Sequence, residues 1–260
     1  MRLAREICDP EINLARRKRK TVNVAFPKER IEQNLKEVLG RIRRAALKAG
    51  RDPGEITLVA VTKGRPLEAV KALLEAGCRE LGENRAQELV DKMERLNALL
   101  DGSIDPPPRW HFVGHLQRNK VNMVVGKVAL IHSVDSLRLA QAISRRASAM
   151  EIVQEVLVQV NVSGEASKHG LRTEELEGFL DQAKSLPGIS LRGLMTMAPV
   201  VRDPEEARPV FRELSRLLEW ARKTFPDCPL DLLSMGMSQD FEVAVEEGAN
   251  LVRIGTALFV

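Results

Sequence analysis

The sequence predicts an α/β protein, a single (β/α)8 barrel of the TIM type with a leading N-terminal helix. Three observations lead there. Short runs rich in β-branched and aliphatic residues alternate with amphipathic segments eight times along the chain, and parallel strands need a crossover helix between neighbours. At 260 residues the chain has the size, roughly 250 residues, at which eight such units close into one barrel. No Gly-x-Gly-x-x-Gly follows the first run, so the competing open sheet that binds dinucleotides has no support.

Between Pro27 and Gly50, apolar Ile31, Leu35, Val38, Leu39, Ile42, Ala46 and Leu47 recur at helical spacing, and Gly50 suits the position after the last turn. This is the leading helix. The first strand is expected over Ile56 to Lys63, with a helix from Pro66 to near Gly77. Arg79 to Gly82 gives the second strand, Glu83 or Asn84 opens a helix through Leu100, and a Pro-rich loop occupies Asp101 to Pro108. Trp110 to Val113 is the third strand, followed by a helix from about Leu116 to Val125; Val128 to Ser133 is the fourth, and Asp135 caps a helix to Met150. Glu155 to Val162 alternates as a fifth strand, then a Gly/Ser/Lys loop leads to a helix capped by Thr173. Ser190 to Met197 is the sixth strand and Glu205 to Phe225 its helix; Leu230 to Ser234 is the seventh, with a short helix from Gln239 to Glu247; Leu251 to Ile254 is the eighth.

The net charge of +4 is local. Of 40 basic and 36 acidic residues, seven and three fall in residues 1 to 20, which leaves 33 of each in the rest. Residues 1–26 therefore read as a basic leader, disordered or weakly ordered, and 27–260 as the barrel. The leader has no apolar core of a secretory signal, and its acids argue against an organelle transit peptide. The balanced body gives no footprint for nucleic acid, and no run is apolar enough to span a membrane. Cys8, Cys78 and Cys228 have no metal-site or disulfide spacing, which fits a reducing cytoplasm. A monomer is expected.

The chemistry starts at Lys63, which ends an apolar strand and shares a face with Val59 and Val61. Burial there would favour the neutral amine, a nucleophile able to form a Schiff base; the alternative is a strand-end lysine that snorkels to water. In such barrels the site lies at the C-terminal strand ends, often with a phosphate beyond strands seven and eight. Those ends read Ser234-Met-Gly-Met-Ser-Gln-Asp240 and Arg253-Ile-Gly-Thr256. Gly236 and Gly255 let backbone N–H groups approach an anion, Ser234 and Thr256 add hydroxyls, and Ser238 reads as the N-cap of a short helix. Ordinary turn chemistry explains each residue singly. Arg253 points either into the barrel, where it needs a partner, or outward between helices. Pointing inward, it completes a constellation suited to pyridoxal 5′-phosphate: aldehyde at Lys63, phosphate at Ser234 and Gly255-Thr256, pyridine nitrogen facing Arg253.

The sequence closely resembles the pyridoxal phosphate homeostasis protein family, whose fold is similar to the N-terminal barrel of alanine racemase. The resemblance covers about residues 30 to 259 and rests on VAVTK (59 to 63), GENRAQE (82 to 88), WHFVGHLQRNK (110 to 120), QVNVSGEASKHG (159 to 170), LRGLMTMAP (191 to 199), SMGMSQDFEVAV (234 to 245) and VRIGTALF (252 to 259). It implies that Lys63 is the pyridoxal lysine, Ser234, Gly255 and Thr256 are phosphate ligands, Arg253 faces the ring nitrogen, and Asn84 is a polar neighbour of the cofactor. Arg85 stands where the family commonly has an aromatic residue.

Carrier and enzyme are the competing readings. The chain has no tyrosine, which removes the second base of alanine-racemase chemistry. Ending at the eighth strand, it is expected to leave the barrel mouth open, which suits exchange better than turnover. The expectation is a protein that carries or buffers pyridoxal 5′-phosphate on Lys63, with pyridoxal-phosphate-dependent apoenzymes as recipients. An amino-acid racemase or decarboxylase is the alternative, and a Schiff-base aldolase acting on a phosphorylated sugar a third. His111 and His115 are expected to be held by local hydrogen bonds. Lys120 and Lys168 are the other lysines available for attachment.

Overall fold

Lys28–Lys48 forms α1, and it buries one stripe: Ile31, Leu35, Val38, Ile42, Ala45 and Ala46. Leu39 and Leu47 fall outside that stripe and are exposed at 46% and 58%, against the expectation from spacing. The computed structural model describes residues 27–165 and 168–260; the proposed leader, 1–26, lies outside the described residues. After α1 the strands and helices alternate as β1 Thr57–Val61, α2 Leu67–Glu75, β2 Glu80–Glu83, α3 Ala86–Leu100, β3 Arg109–Phe112, α4 Val121–Val124, β4 Leu130–Val134 and α5 Leu137–Ala149. The second half continues with β5 Gln154–Gln159, α6 Leu176–Ala183, β6 Ile189–Met195, α7 Arg208–Thr224, β7 Leu232–Ser234, α8 Phe241–Glu246, β8 Leu251–Ile254 and α9 Thr256–Phe259.

Every strand pairs in parallel with its chain neighbour, and β1 pairs with β8 to close the barrel. The register sets Thr57 beside Leu251 and Val59 beside Arg253. Residues that pair across parallel strands face the same side, so these two pairs share the interior with Leu130, Leu157 and Met195. The other strand faces meet the helices in a separate, larger core. That division explains the continuous apolar runs Leu58-Val-Ala-Val61 in β1 and Val156-Leu-Val158 in β5.

Three boundaries differ from expectation in ways that matter to the site. β1 ends at Val61, so Lys63 lies two residues beyond the strand and is exposed; the burial expected of its amine is absent. β2 runs to Glu83, whose side chain is wholly buried, and α3 starts only at Ala86. Ser136 rather than Asp135 caps α5, its hydroxyl accepting from the Leu139 N–H at 3.4 Å. Among the described residues no helix is long and apolar enough to cross a membrane.

Two predictions follow from this packing. Gly193 in β6 has φ of +148°, and a β-carbon there would fall on the backbone of Leu232 in β7. Gly193→Ala should cost about 2 kcal/mol or more by denaturant unfolding, from backbone strain and overpacking together; a midpoint equal to wild type would contradict the close approach. His132 in β4 is fully buried, and that burial above all, with the Arg253 charge adding to it, holds its imidazole well below the ordinary histidine value. The unfolded chain therefore binds a proton that the folded chain refuses, so stability present above about pH 6.5 should fall as the pH drops below it. His132→Gln should lose stability less steeply between about pH 6.5 and 5; equal slopes would mean that His132 is not the group responsible.

Candidate functional site

A cavity of about 740 Å³ opens at the C-terminal ends of the strands. Lys63, Asn84, Arg253, Gly255 and Thr256 all line it, so five of the seven residues selected from the sequence meet in one place. Ser234 and Gly236 do not line it. The Ser234 side chain is wholly buried below, with its hydroxyl 2.8 Å from His132 Nδ1 and 2.6 Å from Arg253 Nη1. Gly236, at φ of +90°, lets the β7–α8 turn pass close to Phe241 and Ala244, and its carbonyl accepts from the Arg253 N–H. The hydroxyl at the cavity wall belongs instead to Ser238. It caps no helix, because α8 starts at Phe241; its Oγ accepts from the N–H groups of Gly255 and Ala257, each at 3.3 Å. Those two N–H groups thus converge on one oxygen position at the wall.

Lys63 has no hydrogen bond or ion pair among the described residues, yet the backbone on both sides of it is held. Gly64 N–H donates to Glu88 Oε1 at 2.6 Å, and Lys92 Nζ donates to the Thr62 carbonyl at 2.7 Å. Lys92 is buried and also pairs with Glu83, which accepts from Thr62 Oγ1 at 2.6 Å. Burial pushes the Glu83 carboxyl up, against the pull of Lys92 and Thr62. This cluster fixes the turn and leaves the amine free. Its charged members were read from the sequence as helix-start residues, or not at all.

Arg253 points inward on β8 and is 5% exposed. Burial pulls its guanidinium down to about 10, with Asp240 opposing, so it remains a cation at neutral pH. Nη1 donates to Ser234 and Nη2 to the Thr196 carbonyl at 2.8 Å. Asp240 turns its carboxylate into its own loop to accept from Met237 N–H at 2.6 Å. His115 and His169 stack at the cavity wall with ring centres 4.0 Å apart, and His115 Nδ1 lies 3.1 Å from Asp135 Oδ2. His132 was missed altogether. The signal was present: it lies two residues after Leu130, on the same face, in the strand Leu130–Val134.

The donor set suits pyridoxal 5′-phosphate. A free amine and a fixed guanidinium suit an aldehyde and a ring nitrogen, and the hydroxyls of Ser238 and Thr256, with two N–H groups that Ser238 now engages and a phosphate oxygen could take over, suit a phosphate. Asn84 adds an amide whose buried Oδ1 has no partner, which a polar ring substituent would satisfy.

Comparison with known proteins agrees with this chemistry. The chain matches the alanine racemase N-terminal domain family over residues 31–260. It is 43% identical over 227 residues to the pyridoxal phosphate homeostasis protein of Aquifex aeolicus, covering 87% of this chain and 96% of that one. PipY of Synechococcus elongatus, solved with pyridoxal phosphate bound, is 32% identical with a TM-score of 0.75, over 88% of this chain and all of PipY. Alanine racemase of Clostridium difficile is 16% identical with a TM-score of 0.67, over 88% of this chain and 59% of that one, a likeness of fold alone. With the barrel, the cavity and these matches together, the chain belongs to the pyridoxal phosphate homeostasis proteins, within the alanine racemase N-terminal domain family.

Proposed function

We propose that the chain holds pyridoxal 5′-phosphate at the barrel mouth, attached covalently through Lys63, and buffers or passes it on without turning over amino acids. One observation carries the reading: an unpaired lysine amine and the inward guanidinium of Arg253 line the same cavity as the Gly255-Thr256 turn. When bound, the cofactor supplies an aldehyde and a conjugated ring. Lys63 offers the amine, and Arg253 donates to the ring nitrogen. Ser238, Thr256 and the N–H groups of Gly255 and Ala257 present donors to the phosphate, with Asn84 at the ring edge. Taking Ser238 in place of Ser234 keeps the anion cradle after β7, at the residue that lines the cavity.

Lys168 also lines the cavity, but its Nζ faces Glu165 at 3.3 Å and the Met197 carbonyl at 3.4 Å, and Lys120 does not line it. Both observations favour Lys63 as the attachment point we propose. Turnover needs water excluded and a placed proton donor. Here Lys63, His115, His169, Met197 and Thr256 are all exposed at the cavity, and the chain lacks tyrosine. Pyridoxal-phosphate-dependent apoenzymes are the recipients we propose, with the chain acting as a monomer in the cytoplasm.

Added pyridoxal 5′-phosphate should give wild-type protein a visible absorption band, and borohydride should fix the label on the peptide carrying Lys63. Lys63→Ala should lose the band and keep its circular dichroism; a persisting band would move the attachment to another lysine. Common amino acids should be racemised or decarboxylated far more slowly than about 1 per second, the lower end of ordinary enzymes. Turnover at or above that rate would replace the carrier reading with the enzymatic one.

A further inference from the structure

Beneath the cavity, side chains from five strands form one unbroken hydrogen-bonded line across the barrel. Glu80 Oε2 in β2 lies 2.7 Å from His111 Nε2 in β3; His111 Nδ1 lies 2.8 Å from His132 Nε2 in β4; His132 Nδ1 lies 2.8 Å from Ser234 Oγ in β7; and Ser234 Oγ lies 2.6 Å from Arg253 Nη1 in β8. Both histidines, the serine and the arginine are buried. Only Arg253 lines the cavity. At the far end Glu80 is partly exposed and meets Arg109 at 3.1 Å.

The direction of every proton in this line follows from its ends. Arginine has donors only, so Ser234 Oγ accepts from Nη1 and must give its own hydrogen to His132 Nδ1. His132 then carries its proton on Nε2 and donates to His111 Nδ1, which leaves His111 to donate from Nε2 to the Glu80 carboxylate. Each link has one hydrogen, and both imidazoles are neutral. The reverse order would leave the serine hydrogen without an acceptor and put a proton on Glu80. Burial opposes the charge on Glu80, but the His111 hydrogen bond and the Arg109 charge outweigh it and hold the carboxyl below its usual range.

Barrel interiors of this kind are ordinarily packed with branched apolar residues. A polar line inside one costs stability unless every member is satisfied, and this one is satisfied along its length. We propose that Glu80, His111, His132 and Ser234 are positioning residues: they hold Arg253 as a fixed donor toward whatever acceptor sits in the cavity, and tie it to a balancing carboxylate at the opposite end of the barrel. Two of the five guanidinium N–H groups are engaged, by Ser234 and Thr196, and the side chain cannot swing to follow a departing ligand. The inference rests on the reading of the cavity as a pyridoxal phosphate site. It extends that reading to a residue, Glu80, that does not line the cavity.

The test has two arms. Nitrogen-15 NMR of the imidazoles, on protein free of cofactor near neutral pH, should show His132 and His111 both protonated on Nε2 and bare on Nδ1. A proton on Nδ1 of either ring, or two protons on His111, would overturn the one-way line. In the second arm, pyridoxal 5′-phosphate binding is titrated by absorbance. His132→Leu should weaken it about tenfold or more and shift the absorption maximum, because Ser234 loses its acceptor and Arg253 its anchor. His132→Gln, whose amide accepts at one end and donates at the other, should bind within about threefold of wild type. Glu80→Gln should shift the maximum although nothing lining the cavity has changed. Folding of each variant is checked by circular dichroism, and a misfolded His132→Leu leaves the decision to Glu80→Gln and the NMR arm. Wild-type binding with an unchanged spectrum in Glu80→Gln would overturn the relay. Absent binding by the wild type would overturn the cofactor reading instead, and the imidazole tautomers would still decide whether the line exists.

Discussion

The pairing of β1 with β8 is the constraint on which the rest of the molecule depends. Four residue pairs, from Thr57–Leu251 to Ala60–Ile254, join strands that lie almost the whole barrel apart in sequence. Once paired, their backbones run about 4.8 Å apart, so the turn carrying Lys63 and the turn carrying Gly255 and Thr256 leave the sheet side by side. Closing so long a loop carries an entropic cost that only non-local contacts can offset. α1 supplies many of them. It packs on α8, α9 and α2, and Arg51, just after it, donates from Nη1 to the carbonyls of Val245 at 2.7 Å and Ala249 at 2.8 Å. The ion pairs Arg41–Glu242 and Lys48–Glu246 lie partly in solvent and add about 0–1 kcal/mol each, so the apolar stripe of α1 holds the seam.

Closure also creates an interior, and apolar and polar side chains share it at neighbouring register positions. Val59, Leu130, Leu157, Met195 and Leu251 form an apolar layer. Arg253, Ser234, His132 and His111 thread polar groups through the same enclosed space. A buried guanidinium is tolerated there because two of its N–H groups are engaged, by Ser234 and the Thr196 carbonyl, and because Asp240 supplies an opposing negative charge. Removing one partner from such a group generally costs more than the intact group contributes, since the other is left buried and unpaired. The polar line is therefore rigid in a way the exposed rim above it is not.

Much of the fold was legible because burial on both faces gives strands such as Thr57–Val61 an apolar run, and burial on one face gives the longer helices an apolar stripe. The inward direction of Arg253 was half legible: it shares a face with Leu251, and closure decides which face is inside. The depth of Lys63 was not legible. An apolar run shows that a strand exists, but its last hydrogen-bonded residue depends on the turn, and here Glu88 and Lys92 end β1 at Val61. The exchange of Ser234 for Ser238 has a similar origin. A serine at a strand end and one in the following turn look alike in sequence, and only the neighbours, His132 beside Ser234 and Gly255 beside Ser238, separate them. Glu83 and Lys92 were hidden because a charged pair nine residues apart reads as solvated unless a strand end and a helix face are known to meet.

The two ends of the cavity impose opposite requirements, and the structure separates them. A ligand's ring must be recognised by a donor that does not move, and Arg253 is fixed by two hydrogen bonds inside the barrel. In the carrier reading proposed above, the covalent handle would form and break in water, and Lys63 is exposed, without a partner among the described residues, and mounted on a turn whose backbone alone is held. A site that buried both would retain its ligand through slow dissociation, since affinity among related sites is set mostly by the rate of release. A site that exposed both would lose selectivity, because hydrogen bonds to water replace those to the ligand at little net cost. Rigid recognition below and a solvent-facing amine above let specificity and release be set by different residues, which is the combination a reversible store of an aldehyde requires.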